Sequence, residues 1–255
     1  HAATTPVAPE VVAAMTRVLA DPGFAANPAA AHGPGRRAAA AVESARAAVA
    51  ALIGAEPGEI IFTSGATESV NLAITGVARF LASRGRHLVT SLTEHPAGLE
   101  TCRRLAAQGW RVTWLRPDAA GHITPAAVAA ALQPDTVLVS LMHANNETGT
   151  LTDLGPIGAL CRERGVLLHV DAAQSAGHVP LDVRALFIDL ASVSAHKLGG
   201  PPGVGALFLD RERVRRVEPL LTGGGQERGL RPGTVPTHQV VGMGEACRLA
   251  ATRLE

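Results

Sequence analysis

The chain has 255 residues, 47% of them apolar, with 23 basic and 22 acidic side chains and a formal charge of +1. That apolar share can bury a sizeable core and excludes a disordered chain, and the balanced charge argues against a dedicated nucleic-acid binder or a polybasic membrane surface. No apolar run approaches the roughly 18 residues of a membrane span, and the small, polar opening His1-Ala-Ala-Thr-Thr-Pro6 does not read as a signal peptide.

The elements follow in chain order. The run RRAAAAVESARAAVAAL over 36–52 is a helix of strong helix formers, stopped by Gly54. A short buried strand is expected over 59–63, and Ser64-Gly-Ala-Thr67 turns it into a helix over 68–83. Strands are expected over 87–91, 111–115, 136–141, 166–170, 190–193 and 205–209. Helices are expected between them over 98–108, 125–132 (with proline in its first turn) and 157–164. A last helical pattern, 240–254, runs to the end of the chain without a cap. Strands alternating with helices predict an α/β domain with a mostly parallel sheet flanked by helices. Three scattered cysteines, Cys102, Cys161 and Cys247, share no CxxC spacing, which points to a reduced, cytoplasmic protein.

In such a sheet, ligands bind at the carboxyl ends of the strands. Five polar clusters fall at those ends: Thr63-Ser-Gly-Ala-Thr-Glu68, Thr93-Glu-His95, His143-Ala-Asn-Asn-Glu147, Asp171-Ala-Ala-Gln174 and Ser194-Ala-His-Lys197. Lys197 is the only lysine among the 23 basic residues, the rest being arginine. Arginine cannot replace an amine in Schiff-base chemistry, so its retention beside the Gly199-Gly-Pro-Pro-Gly203 run marks a carbonyl cofactor site; a solvated surface lysine is the plain alternative. Asp171 ends an apolar strand and needs a positive partner. A protonated pyridine nitrogen is one; metal ligation together with His169, on the same strand face, is another. Ser64-Gly-Ala-Thr67 offers free N–H groups at a helix start for a phosphate, or serves only as an N-cap. His95 can stack on an aromatic cofactor and move protons, or simply open a helix. Asn145 and Asn146 can bind a carboxylate or phenolic oxygen, or form a turn. The segment Gly223-Gly-Gly-Gln-Glu-Arg-Gly229 with Arg231-Pro-Gly-Thr234 is a phosphate-binding loop or a subunit contact.

Taken together, these stretches, with Asn27-Pro28 and Asn71-Leu-Ala73, resemble the cysteine desulfurases, pyridoxal-phosphate enzymes of fold-type I and the class-V aminotransferase group. The match runs through the whole chain in order. The resemblance implies that Lys197 binds the cofactor covalently and moves the substrate's Cα proton, and that His95 stacks on the ring and assists. It implies that Asp171 pairs with the ring nitrogen, that Gln174 bonds the phenolic oxygen, and that Asn146 lies near the substrate carboxylate or ring oxygen. Ala66 (through its N–H), Thr67, Ser194 and His196 are implied to hold the phosphate, and Thr234 to reach the phosphate of a second subunit in a homodimer. The implied reaction takes sulfur from L-cysteine, leaves L-alanine, and forms an enzyme persulfide for a sulfur-acceptor protein, as in iron–sulfur cluster assembly. A related selenocysteine or cysteine lyase and a non-catalytic scaffold are the alternatives. No metal, nucleic acid or membrane enters the implied reaction.

Three features depart from the family pattern. Ala195 replaces a frequent glycine and Pro232 a frequent serine. Family members are also longer: the part carrying the persulfide cysteine and the carboxylate-binding arginine lies beyond this sequence, and none of its three cysteines matches that position. The implied division is an N-terminal arm over 1–12, a pyridoxal-phosphate-binding large domain over 13–239, and over 240–255 the start of a helix leading to a C-terminal small domain.

Overall fold

Alternating apolar runs and helix formers build a seven-stranded sheet with helices on both faces. The computed structural model describes residues 2–254; His1, in the expected arm, and Glu255, at the end of the expected last helix, lie outside the described residues. The strands are β1 (Ile60–Thr63), β2 (His87–Ser91), β3 (Arg111–Leu115), β4 (Thr136–Met142), β5 (Leu167–Asp171), β6 (Leu190–Ser194) and β7 (Gly205–Leu209). Their order is β1-β7-β6-β5-β4-β2-β3, and only β7 runs against the others. The expected mostly parallel α/β sheet is the observed one.

Six of the seven strands, all but β3, are buried along their whole length, as a sheet covered on both faces requires. Alternation then sorts their side chains into two cores. Val89, Val139, Leu168, Val170 and Phe208 face one way, into a core shared with α2 (Gly33–Leu52), α6 (Leu154–Glu163) and α7 (Thr237–Leu254). Leu88, Leu138, Leu190 and Leu207 face the other way, onto α3 (Ala66–Phe80) and α4 (Pro96–Ala107). The expected 125–132 helix is α5 (Pro125–Ala131), where Thr124 Oγ1 caps the Ala127 N–H at 3.2 Å.

One helix was not expected, and several ends differ by up to three residues: α2 starts at Gly33, α3 ends at Phe80 and α6 starts at Leu154. A helix not anticipated, α1 (Pro9–Ala20), begins inside the expected 1–12 arm. Its N-cap is Ala8, with no side-chain cap to announce it. The last helix starts at Thr237, so residue 240 falls within it. Val240, Met243, Ala246, Cys247 and Ala250 are buried in the first core. The helix packs closely there: a Cβ on Gly244 would lie 2.6 Å from Ala45 Cα of α2.

Candidate functional site

The carboxyl ends of β1, β2, β4, β5 and β6 converge on one cavity of about 180 Å3. Its wall contains Ala66, Thr67, His95, Asn146 and Asp171, and also Gln174, Ser194, His196 and Lys197. Nine of the ten residues singled out from the sequence are thereby brought together. The tenth, Thr234, does not line this cavity.

The β1–α3 turn forms one side. Gly65 has φ 153°, and a Cβ on Gly205 of β7 would lie only 2.6 Å from Gly65 Cα, so two backbones meet without side chains between them. Helix α3 then starts at Ala66 with no side-chain cap. Its first N–H groups have no intrahelical acceptor, which makes this end an anion site. Glu68 fixes the turn from behind: one oxygen accepts from the Ser64 N–H at 2.6 Å and the other from Arg231 Nε at 3.1 Å.

Lys197 ends a short 3-10 turn, 195–197, just after β6. The N-terminal segment lies across it. Thr5 bonds the His196 carbonyl through both its N–H and its hydroxyl, His178 Nε2 contacts the Lys197 carbonyl at 2.8 Å, and Lys197 Nζ donates to the Ala2 carbonyl. Burial lowers the amine's pKa, and the charge of Asp171 opposes that shift. A lowered pKa raises the share of neutral, nucleophilic amine. Gln174 Nε2 donates to the same Ala2 carbonyl at 2.9 Å, and His196 Nδ1 lies 3.1 Å from Thr4 Oγ1. Burial, then the neighbouring Lys197, lowers the His196 pKa.

Asp171, at the end of β5, forms the floor. Burial raises its pKa, opposed in turn by the Ala173 N–H (3.0 Å from Oδ1), His95 and Lys197. No arginine or lysine forms an ion pair with it among the described residues. His169 shares its strand face, but both ring nitrogens are engaged, with Ser140 Oγ at 2.8 Å and Ser192 Oγ at 2.9 Å. Burial pushes its pKa down to about 3, so it is a neutral strut beneath the site. Neither nitrogen is free to join Asp171 in holding a metal.

His95 does two things that the sequence left as alternatives. Its Nδ1 accepts from the Ala97 N–H at 3.1 Å and so caps α4, while its ring also lines the cavity. Asn145 accepts from the N–H groups of Glu147 and Thr148 and donates to the Thr93 carbonyl at 2.9 Å. It ties the asparagine loop to the His95 turn, and Asn146 is the asparagine at the cavity. The sequence reading missed Ala3, Ala97, Met142 and Ala173 in the wall. Met142 was legible as the next residue of the 136–141 strand, and Ala173 as the residue two beyond Asp171.

Beyond the Arg231–Glu68 pair, the 223–234 segment is anchored away from the cavity. Glu227 makes a two-pronged ion pair with Arg46 of α2, both bonds 2.8 Å, and accepts the Phe62 N–H at 2.7 Å. Arg46 and Arg228 both donate to the Ile60 carbonyl. These side chains close the open edge of β1, an exposed pairing edge otherwise. All three cysteines are buried, and burial pushes each thiol up to about 12. None of them supplies a thiolate at neutral pH.

The wall suits pyridoxal phosphate on donor chemistry alone. A buried carboxylate without an ion-pair partner among the described residues shares the cavity with a histidine ring, an amine with lowered pKa, and a helix start offering N–H groups and hydroxyls to a dianion.

Comparison with known proteins agrees. The Aminotransferase class-V family matches residues 1–255. The chain is 54% identical over 251 residues to the cysteine desulfurase IscS of Aeromonas salmonicida, covering 98% of this chain and 62% of that protein. It therefore spans about 62% of the length of the curated relatives it matches. Among solved structures, SspA in complex with cysteine superposes with a TM-score of 0.92 at 43% identity, over 97% of this chain and 71% of that one. DndA from Streptomyces lividans does so with a TM-score of 0.89 at 42% identity, over 100% and 72%. The chain belongs to the class-V aminotransferase family, in the branch of the cysteine desulfurases, whose cofactor is pyridoxal phosphate.

Proposed function

We propose that this chain carries the cofactor and substrate site of a cysteine desulfurase. The reaction breaks the Cβ–S bond of L-cysteine, passes the sulfur to an acceptor thiol as a persulfide, and returns the carbon skeleton as L-alanine. The observation that carries this reading is the convergence of the sole lysine and an unpaired buried carboxylate on one cavity. Pyridoxal phosphate, when bound, supplies an electron sink for bonds at the substrate's α-carbon.

The residues divide the work. Asp171, which no side chain ion-pairs among the described residues, would hold a proton on the ring nitrogen. The start of α3, with Ala66 and Thr67, and Ser194 and His196 on the opposite wall hold the phosphate. Gln174 would bond the ring's phenolic oxygen, and His95 would stack on the ring. Lys197 Nζ anchors the cofactor, then takes the Cα proton and returns one at Cβ, a role for which its lowered pKa suits it. Asn146 stands where a substrate carboxylate can be bound. The three buried cysteines are unsuited to accept the sulfur, so the reading assigns the persulfide thiol to a residue outside 2–254.

The same reading takes the active form as a cytoplasmic homodimer. Thr234, outside its own cavity, then serves the neighbour's phosphate. Delivery of the persulfide to an acceptor protein, as in iron–sulfur cluster assembly, completes it. The test is product analysis: the full-length protein, given L-cysteine without added thiol, forms alanine and protein-bound sulfane sulfur in equal amounts, and Lys197→Ala forms neither. Release of sulfide and pyruvate without alanine overturns the assignment.

A further inference from the structure

One buried acid has no place in this scheme. Glu94 precedes His95 in the turn after β2 and is only 8% exposed. Its Oε1 accepts from Ser91 Oγ at 2.6 Å, and that same oxygen of Ser91 accepts the Thr93 N–H at 3.2 Å. The Met142 backbone also bonds the carboxyl. The first turn of α4 lies on it: a Cβ on Gly98 would sit 3.5 Å from Glu94 Cβ. Glu94 thus braces the short turn 91–95 from beneath, while His95 faces the cavity above.

No cation meets Glu94 among the described residues. The titratable groups facing it are Asp171 from β5 and Cys102 from α4. Two carboxyls in one buried region do not both ionise readily. Asp171 has the Ala173 N–H, His95 and Lys197 to favour its charge; Glu94 has two hydrogen bonds and a like-charged neighbour.

We propose that Glu94 is a positioning residue of this site: a neutral acid that braces the 91–95 turn under His95 and leaves Asp171 as the only ionised carboxylate beside the cofactor's ring nitrogen. The clause about the ring nitrogen rests on the proposed function; the protonation of Glu94 does not. Burial above all, with Asp171 adding to it, raises the Glu94 pKa from its ordinary 4.5 to about 8. A carboxyl raised on folding contributes stability in its protonated form, and that contribution is lost as pH rises through the folded value.

The experiment compares wild type, Glu94→Gln and Glu94→Ala in two readouts. The first is urea unfolding of the cofactor-free protein between pH 4.5 and 9. Relative to Glu94→Gln, wild type should lose stability from about pH 4.5 to about 8, with the folding constant falling by about tenfold per pH unit, and run parallel above that. Parallel curves across the whole range overturn the neutral acid. The second is the visible absorption of added pyridoxal phosphate at pH 7. Glu94→Gln, which keeps shape and neutrality, should bind with the wild-type absorption maximum and affinity, while Glu94→Ala should bind on the order of tenfold more weakly. Equal binding by all three overturns the bracing role. A wild type that develops no band overturns the cofactor reading instead, and the unfolding curves still decide whether Glu94 carries its proton.

Discussion

The two ends of the sheet bury the same chemical groups and treat them differently. At the end opposite the cavity, Glu59, Asp189 and Asp210 are buried beside β1, β6 and β7. Each has an arginine: Arg184 bridges Glu59 and Asp210, and Arg213 pairs with Asp189 at 3.1 Å. At the cavity end, Asp171 and Glu94 are buried as well, and no arginine reaches either among the described residues. A buried carboxylate is costly unless a cation or hydrogen bonds compensate it. The fold compensates its own charges where they serve only structure. Where, on the proposed function, they serve chemistry, it leaves one for a ligand to complete and keeps the other protonated.

Substitutions at the two ends should therefore act with opposite signs. The largest loss is expected from the mostly buried pair that closes the β1 edge: Arg46→Met strands Glu227 and the Phe62–Ile60 edge, at a cost of about 3 kcal/mol in urea unfolding. A loss below 1 kcal/mol would mean that solvent or the loop itself satisfies Glu227. Arg184→Met leaves Glu59 and Asp210 without their shared partner. Because Arg184 is half-exposed, the expected cost is smaller, about 2 kcal/mol, with no change in cofactor absorption.

Asp171→Asn reverses the sign. Removing a buried carboxylate that has no ion-pair partner among the described residues should stabilise the cofactor-free protein by about 1 kcal/mol, while cofactor affinity falls at least roughly tenfold, about 1.4 kcal/mol. Because folding raises the Asp171 pKa, its protonated form stabilises the cofactor-free protein at low pH and that contribution is lost as pH rises. The asparagine variant should flatten that part of the pH profile; an unchanged profile and unchanged affinity would remove Asp171 from the floor of the site. The smallest effect is expected at His169: with its pKa held near 3, its ring resonances should not titrate between pH 5 and 8. A titration midpoint in that range would show a solvated histidine instead of a strut.

Much of this was legible before the structure. Short apolar runs located all seven strands, because two-sided burial leaves continuous runs such as TVLVSL and GALFL. The sole lysine and the Ser64-Gly-Ala-Thr67 turn pointed to the cavity by chemistry that few residue types can perform. What escaped were contacts between distant parts of the chain. The N-terminal segment over Lys197 joins Thr5 to His196, and the Arg46–Glu227 clamp spans 181 residues. That clamp also holds two non-glycine residues in the left-handed region, Glu227 (φ 45°) and Arg228 (φ 59°), which no local preference foretells. Helix α1 escaped because nothing caps it, and Glu94 because a glutamate beside a histidine reads as surface until its burial is known.

The most direct test of the account is the visible absorption of this chain with added pyridoxal phosphate, before and after L-cysteine, beside Lys197→Ala. The account predicts a visible band of lysine-bound cofactor in wild type, absent in Lys197→Ala and altered by L-cysteine. A wild-type spectrum identical to that of Lys197→Ala would contradict it, because the sole lysine would then not be where the cofactor binds.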